Sequence, residues 1–434
     1  FISPYPNSFE ADVVISFRID SSLNQIILDA NSTSLSIDSV KLNAASFIQN
    51  GNYLTIQLDR TYNPGEFADV QIYYKHNDIT DYAFYASGGF AFTDCEPEGA
   101  RKWLPCYDKP SDKATTDITA KVPLQTKLGS NGRLQDSIVD GQNIFYHWIS
   151  RDPVATYLIV LTGKNNFNLD IVNWQNPITQ EIVPIRFYYN NGEDPSYIKS
   201  IIGDMTSFYS SEFGDHPFEK NGFATLNSEF TWGGMENQTL TSLCPGCWGE
   251  SLIAHEFAHQ WFGDMITCAT WADIFLNEGF ATWSEAFWNE SKNGREAYMN
   301  ELQSNAEYYR FTNPHWAIST PSWAVNTPDL GTLFNYSITY MKASCVLHML
   351  RYTMTDSLFL PALKAYATDT VNFKNNSATI EDFKNKMESE SGQELDWFFD
   401  QWIFKPDHPI YENTYGFYAE DNDLWRVNFI VRQQ

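Results

Sequence analysis

The sequence predicts a multidomain α+β protein, in which an N-terminal antiparallel β domain is followed by a mostly helical domain. Its 434 residues exceed the length that one ordinary hydrophobic core organises. Up to about residue 165, segments rich in β-branched and aromatic residues show near-alternation, which is typical of strands. From about residue 195 to 404, helical segments dominate. The composition, 43% hydrophobic and 16% aromatic, favours extensive packing over disorder.

Strands are expected throughout the first part of the chain, where turn residues such as Asn-Pro-Gly at 63–65 separate them. Two more strands are expected before the helices begin. The predicted strands cover residues 10–19, 53–58, 67–74 and 154–161 in the first part, and 184–189 and 222–226 after it. We therefore expect an all-β domain over residues 1–165.

The second domain is expected to span residues 166–405. Helices are predicted over residues 251–262, 279–288 and 379–387, the first ended by Gly263 and the last capped by Thr379, and another helix begins near Thr339. Residues 406–434 become strand-like again. They predict either an added strand pair or the start of a truncated C-terminal β region.

The most informative feature is an HExxH motif at residues 255–259. Residues four apart share one face of a helix, so His255 and His259 can reach one cation, and Glu256 lies beside it. Glu278 follows after an 18-residue gap and can supply a third ligand. Two histidines and one carboxylate leave the fourth position of a tetrahedral zinc site open to a water. The metal lowers the pKa of this water, and Glu256 can take its proton.

Each candidate residue also has a simpler interpretation. Two histidines on a helix are often core or surface residues, although the added Glu278 makes a chance match much rarer. Gly233 and Gly234 let a substrate backbone approach closely, or they form a plain turn. Asp273 either orients a ligating histidine or caps a helix. Tyr340 is either a site residue or a half-buried packing residue.

With its neighbouring motifs, the chain resembles a gluzincin metallopeptidase of the M1 aminopeptidase family, the group that contains aminopeptidase N and leukotriene A4 hydrolase. The matching stretches are residues 255–263, 276–281, 233–237, 340–342, 101–108 and 396–402. Their order and spacing agree from about residue 10 to 409. The resemblance implies a saddle-like or sandwich-like N-terminal β domain and a thermolysin-like, mostly helical catalytic domain.

The resemblance assigns roles to the metal-binding and catalytic residues. His255, His259 and Glu278 would hold one zinc ion per chain. Glu256 would act as the general base and later as the proton donor to the leaving amine. Tyr340 would hydrogen-bond the oxyanion of the tetrahedral intermediate.

The resemblance also assigns substrate-binding residues. Glu236 would bind the α-ammonium group of the substrate, and Glu96, contributed by the β domain, would be its second anchor. The backbone around Gly233, Gly234 and Met235 would pair with the peptide as an extra strand. These residues imply peptide substrates with a free N-terminus.

The predicted function is therefore that of a zinc-dependent aminopeptidase, which hydrolyses the N-terminal peptide bond of peptides. Two alternatives stay open. An endopeptidase would share the zinc helix but would not need Glu96 and Glu236 to bind an ammonium group. A non-catalytic binding module on the same scaffold would usually lose a metal ligand or the base, and all of these are present here.

The chain departs from the pattern of the family in three ways. Ala343 replaces the glycine of the usual Tyr-x-Lys-Gly, and Gly234 replaces a commoner alanine. We expect both changes to be minor. Family members usually carry a large C-terminal helical domain over the active site, and this chain ends before it, which predicts an open cleft that accepts longer peptides.

The net charge of −26 disfavours nucleic acid and anionic membrane surfaces as partners. No apolar run reaches the roughly 20 residues that a membrane helix needs. Because the first residue is Phe1 rather than Met, we expect any signal peptide to lie outside this sequence.

The sequence contains six cysteines. Cys244 and Cys247 could form a local disulfide, half of a structural zinc site or two free thiols, and Cys95 and Cys106 could also pair. Cysteine content and acidity favour a secreted or periplasmic location over the cytoplasm. A monomer is favoured.

Overall fold

The structure is a computed structural model that describes residues 8–421 and 423–434. Antiparallel sheets form its first part and helices dominate its second part, so the predicted fold class is confirmed. The strands of the first part are β1 (Glu10–Arg18), β2 (Leu23–Asp29), β3 (Leu35–Leu42), β4 (Ala44–Asn50), β5 (Tyr53–Tyr62), β6 (Phe67–His76), β7 (Phe84–Ser87), β8 (Phe90–Thr93), β9 (Lys113–Pro123), β10 (Thr126–Ser130), β11 (Arg133–Asp140), β12 (Asn143–Ala155) and β13 (Leu161–Asn165).

Two three-stranded antiparallel sheets, β1-β6-β3 and β2-β5-β4, share one hydrophobic core. Strand β6 shows why they pack, because buried and more exposed residues alternate along it and the buried ones, such as Val70 and Ile72, form one face. Two further antiparallel sheets, β10-β13-β8-β7 and β11-β12-β9, follow. Buried aromatic residues of this region pack against the helical part, since Phe92 and Tyr157 belong to the same hydrophobic cluster as Trp271. The two parts of the chain therefore share a core.

The second part opens with a mixed five-stranded sheet of order β14-β15-β16-β18-β17. Strands β15, β16 and β18 run parallel, and β17 lies at the edge, antiparallel to β18. The strands of this part are β14 (Asn168–Gln175), β15 (Ile182–Tyr189), β16 (Asn221–Thr225), β17 (Gly234–Met235), β18 (Thr241–Leu243), β19 (Ile266–Cys268), β20 (Asn376–Ala378), β21 (Tyr411–Ala419) and β22 (Trp425–Gln433).

Helix α3 is the central helix of the second part, and its buried residues belong to the largest hydrophobic cluster of the molecule. It contacts α2, α4 and α6. The helices are α1 (Ser196–Phe213), α2 (Glu250–Ala258), α3 (Phe275–Asn293), α4 (Arg295–Thr312), α5 (Leu330–Leu333), α6 (Ala343–Met354), α7 (Asp356–Ala367), α8 (Ile380–Ser391) and α9 (Asp396–Trp402). Shorter 3₁₀ turns cover Ala100–Lys102, Thr156–Leu158, Trp271–Asp273 and Pro321–Ala324, and a π-helical turn covers Tyr336–Lys342.

The strand predicted over residues 154–161 is wrong. Strand β12 ends at Ala155, a 3₁₀ turn follows, and β13 begins only at Leu161. Side chains satisfy the backbone groups that a ladder would have paired: Asn131 Nδ2 donates to the Leu158 carbonyl oxygen at 2.8 Å, and its Oδ1 accepts from the Val160 amide at 2.8 Å. The run is apolar because it is buried on every side, and such a run cannot be told from a strand by periodicity alone.

Helix α2 ends at Ala258, one turn earlier than the predicted end at residue 262. After Ala258 the backbone hydrogen bonds first span three residues, since the Trp261 amide donates to the Ala258 carbonyl oxygen at 3.0 Å. They then span five residues, since the Asp264 amide donates to the His259 carbonyl oxygen at 2.9 Å. Gly263, the predicted stop, has a φ of 135°, which L-residues rarely adopt. The glycine therefore permits the turn that follows α2.

Other predictions differ mainly in extent. Helix α3 runs from Phe275 rather than residue 279, and the helix expected near Thr339 begins with the π-helical turn and continues as α6. Strands β21 and β22 pair with each other along nine residues, as the added strand pair would. The domain boundaries at residues 165 and 405 stay predictions, as does the monomeric state.

The structure decides the pairing of four cysteines that the sequence left open. Cys244 and Cys247 form a disulfide. Cys95 and Cys106 are buried free thiols and are not paired with each other. In the part of the chain that the structure describes, no helix is both long and apolar enough to cross a membrane.

Helix α8 begins at the predicted cap residue Thr379, which forms a capping box with Asp382. Thr379 Oγ1 accepts a hydrogen bond from the Asp382 amide at 3.1 Å, and Asp382 Oδ2 accepts one from the Thr379 amide at 2.9 Å. We expect Thr379→Ala to lower the free energy of unfolding by about 1 kcal/mol in urea titrations, because the cap is lost. Ser389→Ala, at an exposed site near the end of the same helix, is the control and should change stability little. An equal loss in both variants would contradict the capping role.

Candidate active site

Helices α2 and α3 bring the three predicted metal ligands to one point. His255 lies in the last turn of α2, His259 follows its final residue, and Glu278 lies in the first turn of α3. His255 Nε2 is 3.2 Å from His259 Nε2. Glu278 Oε2 is 3.2 Å from His255 Nε2 and 3.4 Å from His259 Nε2. We call His255, His259 and Glu278 the ligand set.

The ligand set fits a divalent metal ion. Two imidazole nitrogens and one carboxylate oxygen converge here, and a single shared cation would satisfy all three. Ligand atoms at roughly 2.0–2.2 Å from a tetrahedral zinc ion lie about 3.3–3.6 Å from one another. The observed separations of 3.2–3.4 Å are close to this spacing. These three residues could therefore hold a metal of this size.

Packing on the far side of α2 fixes the ligand set. Ile253 and Phe257 are completely buried in the main core. The Tyr209 hydroxyl group lies 3.1 Å from the carbonyl oxygen of Ala254 in α2 and 2.9 Å from that of Ser284 in α3. It therefore ties together the two helices that carry the ligands.

Each imidazole is oriented through its second nitrogen. His259 Nδ1 donates to the Phe262 carbonyl oxygen at 3.1 Å, and His255 Nδ1 lies 2.9 Å from Glu285 Oε1. Sequence reasoning missed Glu285. Its position seven residues after Glu278 on the same helix, which places both on one face, was the available signal. Such partners set the tautomer and direction of a ligating histidine.

Asp273 caps a helical turn and does not orient a histidine. Its Oδ2 accepts from the Thr270 amide at 3.2 Å, and its Oδ1 accepts from the Ile380 amide at 3.0 Å. It completes a capping box with Thr270, so it positions the segment before α3.

Glu256 points into the site beside the edge strand β17. Its Oε2 atom is buried and has no hydrogen-bond partner among the described residues. Burial raises the pKa of this carboxyl group to about 8, although the neighbouring His255 and His259 act against the rise. A Cβ atom at Gly234 would lie 2.1 Å from Glu256 Oε1. An alanine at position 234 would therefore require the Glu256 carboxylate to move, and the minor effect expected for Gly234 stays a prediction.

Glu96 and Glu236 lie next to Glu278, and we call these three residues the acidic pocket. One carboxylate oxygen from each lies within 4.8 Å of the others. Glu96 Oε1 and Glu236 Oε1 are buried without a hydrogen-bond partner in residues 8–421 and 423–434. Glu236 is only 3% exposed. A buried carboxylate oxygen without a partner is costly, so the acidic pocket suits a cationic group.

The electrostatics of the acidic pocket point the same way. Burial, and next the charge of Glu236, raise the pKa of Glu96 well above its usual range. Burial also raises the pKa of Glu236, and Glu278 adds to the rise while His259 opposes it. The ionised forms of these two carboxyl groups are therefore disfavoured together, and a cation in the acidic pocket would allow both to ionise.

The loop that carries Glu96 comes from the β part and is fastened on both sides. Arg101 Nε donates to Asp108 Oδ2 at 2.8 Å, and Arg101 Nη2 donates to Glu98 Oε2 at 2.9 Å. Thr327 Oγ1, from the helical part, donates to the other oxygen of Glu98 at 2.7 Å. The 101–108 motif is thus a structural clamp that sets the position of Glu96.

Tyr340 approaches the ligand set from the π-helical turn Tyr336–Lys342. Its ring lies 6.0 Å from the His255 ring, with 28° between the planes. Burial, followed by the charges of Glu278 and Glu96, raises the pKa of Tyr340 well above its usual range. The phenol therefore keeps its proton and can donate a hydrogen bond.

Gly233, Gly234 and Met235 form the edge of the five-stranded sheet. Strand β17 pairs with β18 on one side, and the Gly233 carbonyl oxygen accepts from the Cys244 amide at 3.0 Å. The Met235 side chain is 3% exposed and packs in the core shared by the two parts. The backbone of this segment, rather than the Met235 side chain, is what the edge can offer to a ligand.

We expect Glu285→Gln to weaken the binding of a divalent metal by about 10- to 100-fold, because the partner that orients His255 loses its charge. Competition with a chelator of known affinity measures this change. Glu296→Gln, at an exposed position in the first turn of α4, is the control. Unchanged metal affinity in Glu285→Gln would show that this contact does not support the ligand.

Two family models match consecutive parts of the chain. The model described as Peptidase M1 N-terminal domain matches residues 2–158, and the model described as Peptidase family M1 domain matches residues 201–402. Together they cover most of the chain and include every residue predicted for the site.

Curated relatives are aminopeptidases of greater length. Aminopeptidase M1 of Arabidopsis thaliana is 25% identical over 338 residues, which cover 74% of this chain and 37% of that protein. Aminopeptidase N of Oryctolagus cuniculus is 28% identical over 359 residues, which cover 74% of this chain and 36% of that protein. Probable aminopeptidase 2 of Sulfurisphaera tokodaii is 25% identical over 427 residues, with coverage of 89% and 50%. The chain thus spans between about a third and a half of the length of these relatives.

Solved structures share the fold. The crystal structure of an M1 zinc metallopeptidase from Deinococcus radiodurans has a TM-score of 0.81 and 23% sequence identity, and covers 93% of this chain and 92% of its own. A variant of a two-domain M1 zinc metallopeptidase bound to L-tryptophan has a TM-score of 0.82 at 23% identity, with coverage of 94% and 93%. At this identity, the likeness concerns the fold.

Proposed function

The chain belongs to peptidase family M1, and from this premise we propose that it is a zinc-dependent aminopeptidase that hydrolyses the first peptide bond of peptides with a free N-terminus. The observation that carries the proposal is the pair of unpartnered buried carboxylate oxygens on Glu96 and Glu236, beside the ligand set. Any metallopeptidase needs a ligand set. Cleavage next to a free amino terminus also requires a pocket that binds the ammonium group close to the metal ligands.

His255, His259 and Glu278 would hold the zinc ion. When bound, the ion supplies Lewis-acid chemistry that acts on water and on the peptide carbonyl. The chain contributes the fixed direction of each ligand, through Glu285 on one imidazole and the Phe262 carbonyl on the other.

Glu256 would be the general base. The carboxyl group must be ionised for this role, and positive charge in the ligand set would lower the pKa that burial raises. Its Oε2 atom, which has no partner among the described residues, could then accept a proton from the water that attacks the peptide carbonyl carbon. The same carboxyl group would then give this proton to the nitrogen of the leaving amine as the C–N bond breaks. The absence of a side chain at Gly234 leaves room for the Glu256 carboxylate in the position that it has in the structure.

Tyr340 would stabilise the transition state. Its hydroxyl group would donate a hydrogen bond to the carbonyl oxygen while negative charge grows on that atom. A preorganised donor in a water-poor site is typically worth about 3–4 kcal/mol of barrier. The raised pKa of the phenol suits this role, because the proton must stay on Tyr340.

The acidic pocket would select the substrate. Glu96 and Glu236 would form charge-assisted hydrogen bonds with the α-ammonium group, which has the opposite charge and enough N–H donors for both unpartnered oxygens. A blocked or internal peptide would leave these carboxylates buried and unpaired. Both effects favour cleavage after the first residue.

The edge strand would hold the peptide backbone. Strand β17 has one pairing partner within the described sheet, and its other edge is available to an extended chain. Backbone hydrogen bonds along such an edge bind a peptide with little regard to its side chains. This arrangement would leave the choice of side chain to the surrounding pockets.

The endopeptidase alternative has no use for the acidic pocket. The binding-module alternative is disfavoured because the ligand set, Glu256 and Tyr340 are all present and their side chains converge on one point. No specific contact favours either alternative over the aminopeptidase.

Acetylation of the substrate removes the positive charge that the acidic pocket would bind. We expect kcat/KM for acetyl-leucyl-4-nitroanilide to fall at least about 100-fold below that for leucyl-4-nitroanilide, measured by release of 4-nitroaniline. Within the protein, Glu236→Gln should raise KM for the free-amine substrate, whereas the exposed Glu229→Gln should not. Equal turnover of the blocked and free substrates would favour an endopeptidase instead.

Glu256→Gln keeps the shape of the side chain and removes the base. We expect kcat to fall by about 10²- to 10⁴-fold while one zinc ion per chain is retained, as measured by elemental analysis of the purified variant. Glu394→Gln, an exposed change near α9, is the control. A Glu256→Gln variant with full metal content and undiminished kcat would remove Glu256 from the mechanism.

A further inference from the structure

Three tyrosines form a continuous row from the ligand set to the surface. The Tyr340 ring centroid lies 6.0 Å from that of His255, and the Tyr336 centroid lies 5.6 Å from that of Tyr340. Tyr308 of α4 packs edge-on against Tyr336 at 5.2 Å. Tyr336 is 54% exposed and Tyr308 is 44% exposed. We call Tyr308, Tyr336 and Tyr340 the tyrosine row.

The two carboxylates next to His255 lie at opposite edges of its ring, with Glu278 of the acidic pocket at Nε2 and Glu285 at Nδ1. Apart from burial, the neighbour that most raises the pKa of Tyr336 is Glu285, whose carboxylate lies 2.9 Å from His255 Nδ1. The acidic pocket instead gathers around Glu278, the ligand contributed by α3. Tyr340 stands between the two regions, because the charges of the acidic pocket reach it and its ring contacts Tyr336.

The position of the row determines what a bound peptide meets next. A peptide with its ammonium group in the acidic pocket and its first carbonyl beside Tyr340 must continue away from that pocket. One extended residue advances the chain by about 3.3 Å. We propose that Tyr336 and Tyr308 bind the side chain of the residue that follows the cleaved bond. This inference rests on the proposed function and names a specificity determinant within it.

The chemistry of the row indicates which side chain it accepts. The exposed faces of Tyr336 and Tyr308 favour an aromatic or large aliphatic side chain, because contact with them removes apolar surface from water. Glu285 adds negative charge on the same side, so an acidic side chain is disfavoured there. A glycine at this position has no side chain to contact the tyrosine row, so the row would add no binding energy for it.

The backbone beneath Tyr336 is fixed. Asn335 Oδ1 accepts from the Ile338 amide at 3.3 Å, and Thr339 Oγ1 donates to the Leu333 carbonyl oxygen at 2.7 Å. These bonds hold the start of the π-helical turn, a local form that is frequent at functional sites. A ring on a fixed backbone loses little freedom when it binds a ligand.

The test compares two substrates that differ only after the cleaved bond, leucyl-phenylalanine amide and leucyl-glycine amide. The wild-type protein should prefer the first, and Tyr336→Ala should reduce the ratio of the two kcat/KM values by about 3- to 10-fold. Tyr336→Phe should keep the ratio, because the ring face rather than the hydroxyl group makes the contact. Tyr352→Ala, at an 81% exposed tyrosine of α6, is the matched control and should also keep it.

The outcomes separate this inference from the function on which it rests. An active wild-type protein whose substrate ratio is unchanged by Tyr336→Ala would overturn the inference alone. Equal loss on both substrates would also overturn it, since Tyr336 would then merely support Tyr340. A metal-loaded wild-type protein that cleaves neither peptide would overturn the proposed function and the inference together.

Discussion

Concentrated negative charge in a small buried volume is the constraint on which the rest of this structure depends. Glu96, Glu236, Glu256 and Glu278 converge around the two imidazoles of α2, and three of them carry a buried oxygen without a hydrogen-bond partner among the described residues. Like charges at such distances repel strongly in a protein interior unless cations neutralise them. Without a cation, protons relieve this repulsion, as the raised pKa values of Glu96, Glu236 and Glu256 indicate, so full ionisation of the site depends on what it binds.

The frame that opposes this repulsion is built from ordinary packing. Helix α3 is surrounded by core residues, and it provides both Glu278 and the histidine partner Glu285. Tyr209 joins α3 to α2 through two backbone carbonyl groups. On the other side, Arg101 fixes the loop that brings Glu96 from the β part. Glu278 and Glu96 are thus held by elements that are packed or bonded outside the site itself.

The sequence predicted what is local and missed what depends on distant contacts. The spacing of His255, His259 and Glu278 follows from helix geometry, so their convergence could be foreseen. The orienting contact of Glu285 joins it to His255, which lies 30 residues away in the sequence. The early end of α2 follows from a local change of hydrogen-bond pattern that apolar periodicity does not reveal. The run at 154–161 resembled a strand because it is apolar, and it does without a strand partner because Asn131 bonds to the backbone of Leu158 and Val160. The roles of the site residues stay proposals.

The loop between Cys95 and Arg101 has a consequence for how such proteins can vary. Its beginning is buried in the shared core, its end is clamped by Asp108, and Glu98 within it is bonded to Thr327 of the helical part. One inserted or deleted residue would therefore shift Glu96 by a full peptide unit relative to the helices. Surface hairpins of the β part can accept additional residues, because loops at the surface tolerate insertions. The segment from Cys95 to Arg101 must keep its number of residues, because its length sets the position of Glu96.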